Sequence, residues 1–226
     1  MLFNDPAQFI INSLYLIPGL LLGLVLHEYA HARMAVARGD QTPRMDGRLS
    51  LDPSHHLDPL GTIAIFLIHF GWARPVRINP YRMRNRYDPA LVALVGPLTN
   101  LLIAVGLSIP LRLLLVSGFF PPAPLSLAAA PQSILVGLLL AGFYLNVVLA
   151  VFNVLPIPPL DGYNLLATFL RPRFPKFFFQ VDANRSTISL VLILLVFFFP
   201  GVLAGLFQLV YQPVAGILLG PAVGPF

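Results

Sequence analysis

Four apolar runs take up most of this 226-residue chain, at about residues 7–37, 89–119, 132–170 and 188–219. Each approaches or exceeds the roughly 20 apolar residues that a helix needs to cross a bilayer. Within hydrocarbon every backbone N–H and C=O must be paired inside the segment, so runs this long and without apolar/polar alternation form helices. The composition agrees: 57% of residues are hydrophobic and 10% charged, against about 25% charged in a soluble domain. The fold class expected is an all-α polytopic membrane protein. The whole of residues 1–226 reads as one membrane-embedded domain, with a core at about 7–170 and a C-terminal apolar segment at 186–220.

Thirteen arginines and one lysine, Lys176, cluster in short stretches between the apolar runs. That is the distribution of cytoplasmic loops under the positive-inside rule, not of a nucleic-acid-binding face, so no nucleic-acid partner is expected. A fifth apolar piece, residues 60–72, is too short to span and precedes the basic group Arg74, Arg77, Arg82, Arg84 and Arg86. A full crossing there would put the most basic loop outside; a re-entrant or short extended segment keeps it inside. The N-terminus then lies outside, the uncharged stretch near 120–130 outside, and residues 33–48, 74–86 and 171–185 inside. The first run lacks a basic flank and a small-residue cleavage site, so it reads as a membrane segment and not a removable signal peptide. Without cysteine the chain has no disulfide, no thiolate nucleophile and no Cys-ligated metal.

Against this background the stretch "LVLHEYAHA" is costly. Glu28 is the sole glutamate in the chain, and it lies between His27 and His31 inside the first apolar run. Ionisable residues at membrane depth default to functional roles. The pattern is H-E-x-x-H: on a helix, positions i and i+4 share a face, so His27 and His31 can address one ion. Glu28 is rotated aside, where it can hold a water without ligating. Two imidazoles suit zinc, whose catalytic sites take three protein ligands and a water. A third ligand must come from another segment, and Asp161 in "NVLPIPPLDGYNLL" is the candidate. Pro156, Pro158 and Pro159 break the helix there, and irregular backbone at membrane depth is tolerated only where it is buried or lines a cavity. Read from the residues alone, Asp161 could instead cap the short helix that follows. Asp46, Asp52 and Asp58 read as solvated loop carboxylates, His55 and His56 as loop residues that could approach a metal, and His69 as an interior residue of the short segment.

The chain resembles the site-2 protease family of intramembrane zinc metalloproteases, in its small prokaryotic form. The likeness covers about residues 20–170, through "HEYAHA", "GRLSLDPSHHLDPLGT", "GWARPVRINP", "GPLTN" and "FNVLPIPPLDG" in the family order. The resemblance implies one Zn2+ per chain, with His27, His31 and Asp161 as ligands and Glu28 as the catalytic residue. It implies support of the substrate or oxyanion by Asn153, and it makes His56 and Asn100 candidates for substrate positioning. Gly96 and Asn100 match a small-residue and asparagine pattern on a helix beside the site. The family often has asparagine where Asp52 stands and a second proline where Arg77 stands, differences that bear on loop geometry. The function implied is hydrolysis of peptide bonds within or near transmembrane segments of membrane-protein substrates, in the cell membrane, from a site opening toward the cytoplasm. A catalytically inactive membrane scaffold, or a metal-binding or transport protein, is the competing reading. One isolated ligand set makes a poor translocation path, and an inactive scaffold has no need of Glu28.

Overall fold

The computed structural model describes residues 5–59, 61, 73–121 and 124–220. Eight α-helices are described: α1 (Pro6–Ala37), α2 (Thr42–Met45), α3 (Asp88–Val116), α4 (Pro131–Val154), α5 (Asp161–Leu170), α6 (Pro175–Ala183), α7 (Arg185–Phe198) and α8 (Pro200–Leu219). No β-strand occurs among the described residues; a single antiparallel bridge pairs Leu57 with Ala73. The expected all-helical architecture is what the chain adopts. The short apolar segment at 60–72, with His69, lies outside the described residues except at 61.

Among the described residues three helices, α1, α3 and α4, are long and apolar enough to cross a membrane, and the bent pair α6–α7 would make a fourth span. At about 1.5 Å per residue, the 32, 29 and 24 residues of the three exceed a hydrocarbon core of roughly 30 Å, which tilt accommodates. Only 33–39% of their most apolar windows is buried within the protein. Leu102, Ile109 and Leu113 of α3 stand more than 60% exposed, as lipid-facing side chains do.

Local chemistry sets the helix ends. Asp5 caps α1 by accepting from the Gln8 N–H at 2.9 Å, and Pro6 occupies the first turn, where its missing N–H is harmless. α1 stops before Gly39, whose φ of 111° only glycine adopts readily. α4 ends where Leu155 turns extended ahead of Pro156.

Residues 171–185, read above as a basic loop, contain α6. Its Phe178, 2% exposed, packs against Tyr163 and Ala167 of α5. Tyr163 Oη donates to Asp182 Oδ1 at 2.7 Å, and Arg171 pairs with Asp182 Oδ2 at 2.9 Å. These contacts exist only once α5 and α6 are folded together, which is why local composition read as loop. The C-terminal run divides into α7 and α8 at Pro200, and α8 packs on α3 and α4. One arginine stands apart from the clusters: Arg112 lies exposed near the end of α3 opposite the basic loops, where its stem can run along the helix to the interface.

The inner packing follows a four-residue rhythm. Gly19, Gly23, His27 and His31 form one stripe of α1, and Val92, Gly96, Asn100 and Ala104 form one stripe of α3. Small residues let these helices approach closely, the usual basis of association in lipid. A Cβ on Gly19 would collide with the Cα of Gly142 in α4.

Candidate metal centre

Two histidines one helical turn apart need room on the facing helix, and Gly96 supplies it: a Cβ there would collide with the rings of both His27 and His31. His31 Nδ1 lies 2.7 Å from the Val92 carbonyl oxygen, and His27 Nδ1 lies 2.6 Å from Asn100 Oδ1. A carbonyl oxygen can only accept, so the His31 proton sits on Nδ1. The Nε2 atoms of the two rings are 3.0 Å apart, and each lies 3.1 Å from Asp161 Oδ2.

The donor set fits a zinc ion. Ligand atoms of His27, His31 and Asp161 all fall within 4.8 Å of one another, and the 3.0–3.1 Å edges of the triangle are near the roughly 3.3 Å separating donors about 2.0–2.1 Å from a tetrahedral zinc. Three electron-pair donors facing one point is the arrangement a cation requires. Both histidines are about 95% buried, so they meet it in an environment of low dielectric.

Asp161 is the first residue of α5, not its cap: Leu160 holds the cap position, and no side chain bonds the free N–H groups there. The carboxylate is turned to the histidines of α1, 130 residues away in sequence. Gly162 fixes how closely this turn is drawn in, since a Cβ would collide with the Val154 carbonyl.

Glu28 faces the same cleft as the three donors. Its Oε2 accepts from the Val76 N–H at 3.0 Å. Val76 belongs to a non-helical stretch pinned on its other side by Arg48. Buried to 6% exposure, that guanidinium donates to the carbonyls of Arg74 at 3.1 Å and Pro75 at 3.4 Å, and to that of His55. Arg77 grips Asp46 with two bonds of 2.8 and 2.9 Å. The motifs "GRLSLDPSHHLDPLGT" and "GWARPVRINP" contain Arg48 and Val76, but the roles of the two depend on contacts across 26 and 48 residues, which local pattern does not report.

The cleft has a volume of about 1080 Å3 and runs from His27, His31 and Asp161 to Arg86, Arg171 and Arg185. Asn153 lines it, with Nδ2 donating to the Leu149 carbonyl of its own helix at 2.9 Å. Asn100 does not line it: fully buried, it sits behind His27. His56 is also fully buried away from the cleft, with Nε2 2.6 Å from the Ser50 carbonyl. His55 lines a separate polar pocket with Arg48, Arg74 and Arg77. Asp52 caps the short 3-10 turn Pro53–His55, and Asp58 accepts from the Gly61 N–H.

Beyond the end of α1, Asp40 ties the connecting loop together. Burial raises its carboxyl, but bonds from the Asn79 N–H at 2.6 Å and from both the N–H and hydroxyl of Thr42, with Arg82 nearby, hold it below the usual carboxylate range.

The family model described as "Peptidase family M50" matches residues 116–197, a span that takes in Asp161. Among curated proteins, YwhC of Bacillus subtilis, named as a zinc metalloprotease, is 36% identical over 180 residues, 79% of each chain. Rip2 of Mycobacterium tuberculosis, named likewise, is 34% identical over 201 residues, 86% of this chain and 71% of its own. MJ0611 of Methanocaldococcus jannaschii, also so named, is 39% identical over 75 residues, 33% of this chain and 31% of its own. No solved structure matches significantly.

Proposed function

This chain belongs to peptidase family M50, and we propose that it is an intramembrane zinc metalloendopeptidase that hydrolyses peptide bonds within or near the transmembrane segments of other membrane proteins. The observation that carries this reading is the convergence of His27, His31 and Asp161 beside Glu28 in one cleft. In the proposal the three donors hold one zinc ion and Glu28 is the catalytic residue.

Zinc bound there supplies a Lewis acid that acidifies a water and polarises the scissile carbonyl. The remaining work belongs to the chain. Val76 holds Glu28 Oε2, which leaves Oε1 to accept a proton from the attacking water and return it to the departing amine nitrogen. In the proposal Asn153, on the cleft wall, uses the amide hydrogen not given to Leu149 to donate toward the carbonyl oxygen or to steady an extended substrate. Asn100 serves His27 in this scheme, not the substrate. An α-helical substrate must unwind to expose its carbonyl, and a cleft of this size accommodates an extended segment. Arg86, Arg171 and Arg185 in the lining of the cleft support an opening toward the cytoplasm, where the positive-inside rule puts basic loops. The chain is then a multi-pass protein of the cell membrane acting as one membrane-embedded unit.

Elemental analysis of detergent-purified protein tests the ligand set. About one zinc per wild-type chain is expected, largely lost in Asp161→Ala; zinc kept by that variant would remove Asp161 from the set. Cleavage of a fluorophore–quencher transmembrane peptide in vesicles tests the rest. Glu28→Gln should keep zinc and lose cleavage, and full activity in that variant would refute the general-base role.

A further inference from the structure

Behind the two histidines runs a buried polar chain of which the mechanism above uses only Asn100. Asn100 Nδ2 donates to the Gly23 carbonyl at 3.2 Å and to Asn146 Oδ1 at 3.0 Å. Asn146 Nδ2 in turn donates to the carbonyls of Gly19 at 3.2 Å and Gly142 at 2.8 Å. Both asparagines are fully buried among membrane-spanning helices, where an unbonded amide would be expensive.

The direction of this chain can be read from its far end. Carbonyls only accept, so the Asn146 atom facing Gly19 and Gly142 is its amide nitrogen, and its oxygen faces Asn100. That oxygen requires a donor, so Asn100 turns its own nitrogen to it; the Gly23 carbonyl demands the same orientation. The Asn100 oxygen is left for His27, where it accepts the Nδ1 proton across 2.6 Å. An imidazole protonated at Nδ1 keeps its lone pair on Nε2, the atom 3.1 Å from Asp161 Oδ2.

The two histidines differ in what orients them. His31 bonds the Val92 backbone carbonyl, which cannot turn around. His27 bonds a side-chain amide, which can, so something must fix the amide. We propose that Asn146 is a positioning residue for the metal site: through Asn100 it sets the tautomer and ring orientation of His27, from a helix, α4, that contributes no metal ligand. The glycines of the seam belong to the same device, because a Cβ on Gly23 would come within 2.7 Å of Asn146 Oδ1 and 3.3 Å of Asn100 Nδ2. The inference rests on the reading of His27 as a zinc ligand.

The test measures zinc affinity of the full chain in detergent by competition with a chromogenic chelator, beside 15N spectra of histidine-labelled, zinc-free protein. Removing an outer partner of a ligating histidine costs roughly 10–100-fold in metal affinity. Asn100→Ala is expected in that range and Asn146→Ala at about 10-fold. The double variant should lose no more than Asn100→Ala alone, because Asn146 acts through Asn100. Asn146→Asp should recover most of the affinity: a carboxylic acid buried there stays neutral, presents an oxygen to Asn100 and donates its O–H to a carbonyl. The Nδ1–H signal of one histidine, slow to exchange with water in the wild type, should exchange faster in Asn146→Ala. If Asn146→Ala does not fold, Asn146→Ser replaces it, keeping a hydroxyl for the Gly142 carbonyl but not reaching Asn100. Wild-type affinity in Asn146→Ala, or losses that multiply in the double variant, would overturn the proposal while leaving the metal site intact. A wild-type chain that binds no zinc would overturn the metal site and this inference together.

Discussion

Helices α3 and α4 meet their neighbours in opposite ways at their two ends. At the basic-loop end they present Gly96, Asn100 and Asn146 to α1, and the seam is held by close backbone approach and oriented hydrogen bonds. At the far end, Leu111 and Leu115 of α3 join Val136 of α4 and Leu219 of α8 in an apolar cluster. Phe143 of α4 and Tyr211 of α8, with ring centroids 6.0 Å apart, extend that cluster back toward the seam. The first region depends on where atoms point and the second on whether volume is filled. A substitution should therefore alter chemistry at one end and stability at the other, even when both sites lie on the same helix.

The sharpest break is Gly96→Val. Two γ-carbons on top of the colliding Cβ must push the rings of His27 and His31 apart, and zinc should fall to well below one per chain with cleavage abolished. A zinc content unchanged from the wild type would show that the seam can open without cost. Next in size is Glu28→Gln, which removes a proton acceptor and leaves the three donors in place. Loss of a general base costs roughly 10²–10⁴-fold in rate, read by peptide cleavage at equal zinc content.

Leu111→Ala, at a fully buried position of α3, probes the other end. In lipid the transfer contribution is small, so the expected cost is mainly the cavity, about 1–3 kcal/mol by denaturant unfolding in micelles. Zinc affinity should stay within about 2-fold, since Leu111 lies about three helical turns from Asn100 and touches none of the donors; a larger loss would mean that the two ends are not independent.

The smallest effect expected lies outside the membrane. Asp40 has a folded pKa below the ordinary value of 3.8 because its hydrogen bonds outweigh the burial that opposes them. A depressed carboxylate stabilises the fold above its unfolded pKa, and that contribution is lost as pH falls through the folded value. Melting temperatures measured from pH 7 down to pH 3 should drop more in the wild type than in Asp40→Asn, which cannot titrate. Equal drops would assign acid sensitivity to other groups.

Local pattern carried much of this protein. Apolar run length fixed α1, α3 and α4 to within a few residues, because a helix in lipid must be long and continuous to satisfy its own backbone. The four-residue spacing put His27 and His31 on one face, and the proline run followed by Asp161–Gly162 marked a break at depth. Other features were not decided by local pattern. Asp161 could be a ligand or a cap until the turn at Gly162 aimed it at α1, 130 residues away. Val76 became the holder of Glu28, and Asn146 the support of Asn100, through contacts spanning 48 and 46 residues. Asn100 turned out to face His27, not the cleft. The division has a physical cause: periodicity reports which side of an element is apolar, and a sequence states that directly. Which atom of one helix meets which atom of another depends on how closely the backbones approach, and only the glycine seams of the folded protein decide that.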